Sequence, residues 1–525
     1  MKQFVSFMLC LLAFSAASAQ VTTSSMSGHV QDEQGAPVVG ALVLATHTPS
    51  GTEYSAIVDG TGNYRIMNMR SGGPYSVKIS MLGFQTVLNE GINIALGDNY
   101  VLDVTLPIES TDLDEVVVTG TRSSILNSDR AGVATNINNR QLNVLPTVSR
   151  SISDFTRLTP QAGNSGSFGG RDTRYNNVSI DGAAFAQRFG LSTSNNYPGG
   201  DAQPISLDAI QEISVNLTPF DIRQSNFTGA NINAVTKSGD NSYHATAYTF
   251  QRFKSMTGDR VQDATVANAK TTSRQTYGAS VGGPIIKNKL FFFINGELEY
   301  KSFLGNQWQP STDGVGSAEN KISQTTIADL ERVSNFLKEK YNYDPGAYQN
   351  FGNSAADNYK IMARIDWNIS KNHKLMVRYN DVKSQDDNLV SGASTPGGVR
   401  LNNAGRNSIN SISFANTGYK QENRVRSITA ELNSVFSPKV SNKLLASFTN
   451  INDTRKTDGD LFPFVDIMRL GSDGKTYEGY MSFGTEIFSF NNGVLNNTFN
   501  ITDNVTIGLG QHTLTAGLSY ENQHF

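Results

Sequence analysis

Residues 359–369 read Tyr-Lys-Ile-Met-Ala-Arg-Ile-Asp-Trp-Asn-Ile, and this stretch decides the fold because its apolar and polar residues alternate. Successive side chains of a β-strand point to opposite faces of a sheet. One face would carry Tyr359, Ile361, Ala363, Ile365, Trp367 and Ile369, and the other Lys360, Arg364, Asp366 and Asn368. The stretch therefore predicts a strand with one apolar and one polar face.

The same alternation recurs through residues 241–525, where we count nine strands with an uncertainty of about two. The two extra candidates are segments 409–420 and 479–490. Turns of a few residues at 287–289, 370–372, 437–442 and 509–511 alternate with long loops near 255–272, 304–357, 384–424 and 456–495. A transmembrane β-barrel combines an apolar outer face with such unequal connections. A soluble sandwich also alternates, but the unequal loops favour the barrel.

One of the long loops has apolar residues at helical spacing, which predicts an amphipathic helix that packs there. These residues are Ile327, Leu330, Val333, Phe336 and Leu337.

Composition agrees with a β-rich protein that has polar loops. The chain has 43 Lys and Arg against 46 Asp and Glu, a net charge of −3, so it lacks the basic excess of a nucleic-acid binder. Charged residues are 17%, below the usual ~25%. After the N-terminus no run reaches about 18 apolar residues, which argues against a transmembrane helix.

The first nineteen residues predict export. Lys2 precedes an apolar run, and Ala17-Ser18-Ala19 forms a cleavage site, so residues 1–19 are read as a signal peptide. Cys10 lies in that run and is the sole cysteine, so the mature chain can form no disulfide and no thiolate metal site. We therefore expect a protein of the Gram-negative envelope.

Residues 22–107 alternate short apolar runs with Gly, Pro and Asn turns, which predicts a small antiparallel β-sandwich. The runs around Val38-Val39-Gly40-Ala41 and the turn Asp59-Gly60-Thr61-Gly62 carry a resemblance to the carboxypeptidase regulatory-like domain. That resemblance implies a seven-stranded, non-catalytic module.

Residues 108–120 form a linker that ends in Glu115-Val116-Val117-Val118-Thr119-Gly120. Three valines in a short extended segment can pair as an added strand with the sheet edge of another protein. An ordinary strand of the neighbouring domain is the alternative.

Residues 121–240 predict an α/β domain. A helix is expected at 206–213, with Ser206 as its N-cap, followed by a strand at 214–217. The valine segment, Ile180-Asp181-Gly182, the segment 210–215 and the segment 232–239 resemble, in order and spacing, the plug domain of TonB-dependent outer-membrane receptors. Segment 278–293 and Pro219-Phe220-Asp221-Ile222-Arg223 are similar to the Oar-like branch of that family.

The resemblance implies a mainly β protein with three parts: the N-terminal sandwich, an α/β plug domain over 121–240, and a transmembrane antiparallel barrel. By the strand count above, residues 241–525 would supply the first nine to eleven strands of that barrel. Such receptors lie in the outer membrane and contact its lipid, with the plug and the sandwich inside the barrel or on its periplasmic side. They take up a large or scarce extracellular ligand with energy from a TonB-type protein. Here the coupling residues would be Glu115, Val116, Val117, Val118, Thr119 and Gly120.

The sequence carries no enzyme motif, so we expect a protein that is not an enzyme, with no catalytic residue, no cofactor and no resident metal. Calcium at Asp386-Asp387 or at 458–460 is a minority reading. Arg171, Arg174, Tyr175 and Arg188 could meet an anionic or peptide ligand, or they could brace the plug against the wall. The ligand itself cannot be read from the sequence.

Two other function classes remain open at this point. One is a SusC-like glycan importer that works with a surface lipoprotein. The other is a passive or adhesive outer-membrane surface protein that needs no energy coupling.

An odd strand count would leave residue 525 at the extracellular rim, whereas single-chain bacterial barrels have an even number of strands. A plug of about 120 residues also needs the lumen of a ~22-stranded barrel. We therefore expect residues 1–525 to be the N-terminal part of a longer protein, with an incomplete barrel wall.

Overall fold

A computed structural model describes residues 21–108, 116–118, 134–147, 150–163, 166–185, 202–219, 221–224, 227–258, 260–265, 272–391, 405–471, 473–488, 490–509 and 512–525. The predicted signal peptide lies outside these residues. So do Glu115, Thr119, Gly120 and Arg188 among the predicted site residues.

The first described unit is a β-sandwich. Its strands are β1 (Thr23–Asp32), β2 (Leu42–His47), β3 (Thr52–Ile57), β4 (Asn63–Arg70), β5 (Gly72–Ser80), β6 (Val87–Ile94), β7 (Asn99–Val101) and β8 (Val104–Leu106). One sheet has the order β4-β1-β7, with β8 also on β1, and the other contains β3-β2-β5-β6. Strands β7 and β8 run in sequence along β1, parallel to it, so together they are one interrupted seventh strand. Alternate residues such as Val43, Val77 and Ile79 are fully buried between the sheets.

The second unit is a mixed α/β domain, as predicted. It contains β10 (Ala134–Asn138), helices α1 (Asn139–Val144) and α2 (Ile152–Thr156), β11 (Asn177–Ile180), β12 (Ala183–Ala184), β13 (Ile210–Asn216) and β14 (Asn231–Thr236). The sheet order is β10-β13-β14-β11-β12. Both helices begin with a capping box, in which Asn138 pairs with Gln141 and Ser151 with Asp154.

The helix predicted at 206–213 is wrong. Only Leu207–Ala209 is helical, as a single 3₁₀ turn, and β13 begins immediately at Ile210. Ser206 makes no capping hydrogen bond. Its hydroxyl instead donates to Glu297 at 2.9 Å, so a tertiary contact takes the group that the local pattern assigned to a cap.

The third unit is one antiparallel sheet of nine strands in the described residues. They are β15 (His244–Arg252), β18 (Ser273–Ile286), β19 (Leu290–Phe303), β22 (Ser354–Asn368), β23 (His373–Asn388), β25 (Tyr419–Ser437), β26 (Val440–Lys456), β29 (Gly493–Leu509) and β30 (His512–His524). Each pairs with the next along the chain. This confirms the predicted barrel-type sheet of nine to eleven strands, and β15 and β30 are its two edges within the described residues.

The two faces of this sheet confirm the predicted alternation. Outward apolar side chains such as Ile361, Ile365 and Tyr379 are 47%, 46% and 42% exposed. Inward polar side chains are buried, among them Glu297, Lys360, Arg364, Arg378 and Glu431. Apolar outside and polar inside is the reverse of a soluble sheet and suits a lipid-facing wall.

Three of the long connections form a small domain of their own at one end of the sheet. Its elements are β20 (Gln309–Ser311), β21 (Ile322–Thr326), α3 (Ile327–Tyr341), β24 (Ile412–Ser413), β27 (Val465–Leu470) and β28 (Tyr477–Phe483). The remaining long connection carries a separate exposed hairpin of β16 (Arg260–Val261) and β17 (Ala264–Thr265). Helix α3 is the predicted amphipathic helix; Thr326 caps it, and Asn342 ends it with φ 52°. Strands β24 and β28, from the two extra candidate segments, belong to a three-stranded outer sheet rather than to the wall.

Leu330 and Leu337 of α3 pack against Ile412, Phe414 and Met481 in a separate hydrophobic core. No helix in the described part of the chain is long and apolar enough to cross a membrane.

Candidate functional site

The plug domain lies against the inner face of the wall. Its buried core includes Ile180, Ile213 and Ile232, and it continues without a break into wall residues from four different strands. These wall residues are Phe293, Met362, Val425 and Ile451. Because they point inward where most neighbours are polar, they form an apolar seat for the plug.

Asp181 connects the plug to the wall through buried charges. It follows β11 with φ 45°, and Gly182 after it has φ 76°, so this tight turn needs residues that tolerate the left-handed region. Its carboxylate accepts from the Thr236 amide at 2.8 Å and the Thr236 hydroxyl at 2.7 Å. The side chain is 2% exposed.

Two wall arginines complete this cluster. Arg364 Nη1 lies 3.4 Å from Asp181 Oδ1, and Arg378 Nη1 lies 3.1 Å from Oδ2. Arg364 also donates to Asp366 at 2.6 and 2.8 Å, so two carboxylates balance two guanidinium groups. Buried ions are tolerated when they are paired and hydrogen-bonded, whereas removal of one partner is costly. Removal or displacement of any one of the four charges is therefore unfavourable for the seated plug.

A second buried pair involves Lys360, which precedes Arg364 on β22. Lys360 Nζ contacts Glu297 Oε1 at 2.6 Å, and Glu297 Oε2 accepts from Ser206 of the plug at 2.9 Å and from Tyr248 at 2.7 Å. Asn380 of the wall donates to the carbonyl of Pro204 at 3.0 Å. These contacts position the plug segment before β13.

The sandwich contacts the end of the wall that carries the short turns. Asn241 donates from its amide to the Pro49 carbonyl at 2.9 Å, and Asn368 donates to Thr52 at 3.0 Å. Thr22 donates to Glu431, which pairs with Lys443 at 3.3 Å inside the wall. The sandwich also touches the plug, since the Leu96 amide donates to Glu212 at 2.9 Å. It therefore lies across the short-turn mouth of the sheet.

Of the predicted coupling segment, the structure describes Val116–Val118 as strand β9. It pairs in parallel with β6, in the register Val87↔Val116, Leu88↔Val117 and Asn89↔Val118. The second sandwich sheet thereby becomes β3-β2-β5-β6-β9. This arrangement corresponds to the alternative given above, in which the valines form an ordinary strand of the neighbouring domain. It does not test the coupling role of the segment.

The predicted ligand residues Arg171, Arg174 and Tyr175 lie together on an exposed turn around the 3₁₀ helix Thr173–Tyr175. Arg174 pairs with Asp172 of the same turn at 3.0 Å, and this contact lowers the pKa of the Asp172 carboxyl. Bracing against the wall is therefore not the role of that ion pair. Among the described residues no group of three or more His, Cys, Asp or Glu side chains could hold a metal ion.

Sequence reasoning placed Arg364 on the polar, inward face of its strand, and in the structure Arg378 shares that face of the sheet. It missed that they meet Asp181, which stood out only as part of a turn. The Asp181-Gly182 turn was visible in the sequence, but a single sequence does not show that this turn is buried.

Comparison with known proteins gives two family matches. Residues 235–525 match the family described as Outer membrane beta barrel domain, and residues 25–107 match the Carboxypeptidase regulatory-like domain. A curated relative, the TonB-dependent transporter Oar of Myxococcus xanthus, is 29% identical over 302 residues, which are 54% of this chain and 27% of the relative.

Two similar solved structures are the outer membrane transporter YddB from Escherichia coli and the siderophore receptor PirA from Acinetobacter baumannii. The match to YddB has a TM-score of 0.47 and 11% identity, and it covers 74% of this chain and 47% of that structure. The match to PirA has a TM-score of 0.43 and 16% identity, and it covers 74% of this chain and 48% of that structure. The chain thus spans about a quarter of the length of the curated relative and about half of these structures.

Proposed function

Because the chain belongs to the outer membrane beta barrel domain family, we propose that it is an energy-coupled receptor of the TonB-dependent kind, which imports a large or scarce ligand across the Gram-negative outer membrane. Its wall strands face outer-membrane lipid. The curated relative, the TonB-dependent transporter Oar, supports this proposal for the part of the chain that it matches.

The observation that carries the proposal is the plug bound within the wall by the buried Asp181, Arg364 and Arg378 cluster. A ligand that passes this plug needs the plug to shift. A shift must separate charges that lie in a low-dielectric interior, and that separation is strongly unfavourable. Outer-membrane transport of this design therefore needs work from outside the receptor, and an inner-membrane machine that reaches across the periplasm supplies it.

The segment Glu115, Val116, Val117, Val118, Thr119 and Gly120 is the proposed point of attachment for that machine. Strand addition depends on main-chain hydrogen bonds, so a short β-prone segment suffices. Arg171, Arg174, Tyr175 and Arg188 are the proposed ligand contacts, and the ion pair with Asp172 orients Arg174.

A pair of substitutions at Val117 tests the attachment. Proline removes the amide hydrogen that strand pairing needs, whereas isoleucine keeps a β-branched chain of similar shape. In membrane-extracted protein we expect Val117→Pro to lose binding to the purified periplasmic domain of the host TonB-type protein, and Val117→Ile to retain it. Equal binding by the two variants would refute the assignment.

The ligand is found by mass spectrometry of the small molecules that co-purify with the natively extracted protein. Uptake of the identified compound is then measured in cells whose receptor lacks residues 115–120. We expect surface binding to persist and uptake to stop. Persistent uptake would instead favour a passive surface protein.

A further inference from the structure

Strand β6 would be the edge of the second sandwich sheet if β9 were absent. An edge strand presents a row of unpaired main-chain amides and carbonyls, which accept any extended segment that comes within reach. In the structure that segment is Val116–Val118 of the same chain. The segment that the proposed function assigns to the energy-transducing protein is thus already paired.

The chain is guided to this edge by contacts just before it. The Gln85 amide donates to the Pro107 carbonyl at 2.9 Å, and Phe84 and Ile108 form an isolated antiparallel bridge. Eight sequence positions separate Ile108 from Val116. A tether this short keeps a segment near its docking edge at a high effective concentration. The docked arrangement is therefore favoured over free diffusion of the strand.

The docked strand is also short and imperfectly supported, so it can be released. Three residue pairs make up the register. At the last of them Asn89 is 91% buried, since its exposed fraction is 9%, and its Nδ2 has no hydrogen-bond partner among the described residues. A buried donor without a partner makes this end of the pairing less favourable.

We propose that the β6 edge of the sandwich is a docking site for the coupling strand, and that docking withholds the strand from the energy-transducing protein until it is released. This inference rests on the proposed function. Docking occupies the main-chain groups on one side of the strand. It also holds the other side one strand spacing from a folded domain, where a second globular domain has little room to add its own sheet.

A row of directly opposed residues across the sheet provides the test. Leu44 is in register with Lys78, Lys78 with Leu88, and Leu88 with Val117. Directly opposed strand residues lie at Cα separations that a disulfide can bridge. The sole native cysteine, Cys10, lies in the predicted signal peptide, so introduced pairs have no competitor in the mature chain.

The locking variant carries Leu88→Cys with Val117→Cys. The matched control carries Leu44→Cys with Lys78→Cys, which joins β2 to β5 in the same row without touching β9. Each is oxidised in membranes, extracted, and assayed for binding to the purified periplasmic domain of the host TonB-type protein, before and after reductant. We expect the locking pair to cross-link and to bind at least tenfold more weakly when oxidised, with recovery on reduction. The control should bind equally in both states.

Failure of the locking pair to cross-link, or equal binding by its oxidised and reduced forms, would overturn the docking proposal. A variant without residues 115–120 separates this result from the proposed function. If that variant binds the periplasmic domain like the unaltered protein, the coupling assignment itself fails. If it does not bind while the oxidised lock binds normally, only the docking proposal fails.

Discussion

Among single residues, Asp181 shows how a buried charge can hold two domains in place. Its carboxylate receives two hydrogen bonds from Thr236 in its own domain and contacts two guanidinium groups of the wall. Arg364 retains Asp366 if Asp181 is removed, but within the described residues Asp181 is the carboxylate that Arg378 contacts. A substitution of Asp181 therefore removes the carboxylate that the fully buried Arg378 side chain contacts.

Asp181→Ala should destabilise the seated plug by about 3–5 kcal/mol, because it leaves a buried guanidinium without its partner. The measurement is protease cleavage of the plug in extracted protein over a series of urea concentrations. Asp172→Ala is the matched control, since it removes an exposed ion pair on the same domain and should leave the cleavage midpoint unchanged. Equal midpoints for the two variants would contradict the role given to the cluster.

His47 makes the sandwich sensitive to acid. Its ring is buried, accepts or donates one hydrogen bond with Ser50 at 2.7 Å, and packs edge-on against Tyr75. Burial, with a smaller effect from the charge of Arg70, lowers the pKa of His47 to about 3. Below pH 6.5 the unfolded chain therefore binds a proton that the folded domain does not, and stability falls as the pH falls toward 3.

Between pH 7 and pH 5 this difference should remove about 2 kcal/mol of sandwich stability. The measurement is pulse proteolysis after urea equilibration at each pH, scored on the fragment that contains residues 22–107. His47→Asn should reduce the pH dependence, whatever its own stability. An unaltered slope in that variant would assign the acid sensitivity to other groups.

At the scale of elements, helix α3 anchors the outer loops through one of its faces. Leu330 is fully buried in the outer core, while Phe336 on the same helix is 55% exposed. The periodicity of the sequence was sufficient to locate this helix, because its apolar stripe is local. It could not identify the partners in β24 and β28, which lie about 80 and 150 positions further along the chain.

Leu330→Ala should loosen the outer loops by about 2–5 kcal/mol because it leaves a cavity in their core. The expected readout is faster cleavage of these loops by protease added to intact cells, with unchanged amounts of receptor in the membrane. Phe336→Ala is the control on the same helix and should change cleavage little. Similar cleavage rates for both would mean that the loops do not share this core.

A substitution in strand β6 is expected to strengthen a contact, the pairing of β6 with β9, rather than to weaken one. Asn89→Leu replaces the buried amide whose Nδ2 lacks a partner with an apolar chain of similar volume, so the sheet edge should hold β9 more tightly. We expect binding of the TonB-type periplasmic domain to fall about threefold to tenfold while the melting temperature of the sandwich rises. Stronger binding together with a higher melting temperature would contradict docking as the opposing equilibrium.

The strands also show which features of the fold the sequence could predict and which it could not. Alternation alone placed Lys360 and Arg364 on the inner face, because a period of two needs no knowledge of distant residues. The helix expected at 206–213 failed because Ser206 finds Glu297, 91 positions away. The valine segment was readable as an added strand, but the edge that receives it depends on how the sandwich folds. Local periodicity therefore predicted the strands and their faces, whereas contacts between domains could not be predicted from the sequence.

For the molecule as a whole, the sandwich lies across the mouth at which the short turns gather. Glu53 is 3.5 Å from Lys371, which stands in the turn between β22 and β23. At the far end of the same strands, Lys420 pairs in register with Asp387. Some 15 strand positions of about 3.3 Å each separate the two lysines along the wall.

Glu53→Cys with Lys371→Cys should therefore be joined in outer membranes by a short bismaleimide cross-linker, whose span replaces the two side chains of the ion pair. Glu53→Cys with Lys420→Cys is the control at the remote end and should stay unlinked. The measurement is the shift of the protein on a non-reducing gel. Absence of the first cross-link would place the sandwich elsewhere in the resting receptor.

The shared core of the outer loops has a consequence for immunology. Its buried residues come from three separate stretches of chain, around Leu330, Phe414 and Met481. An antibody against this surface therefore meets a composite epitope, and a synthetic peptide copied from one loop lacks the neighbours that shape it. A vaccine immunogen has to carry the three stretches folded together.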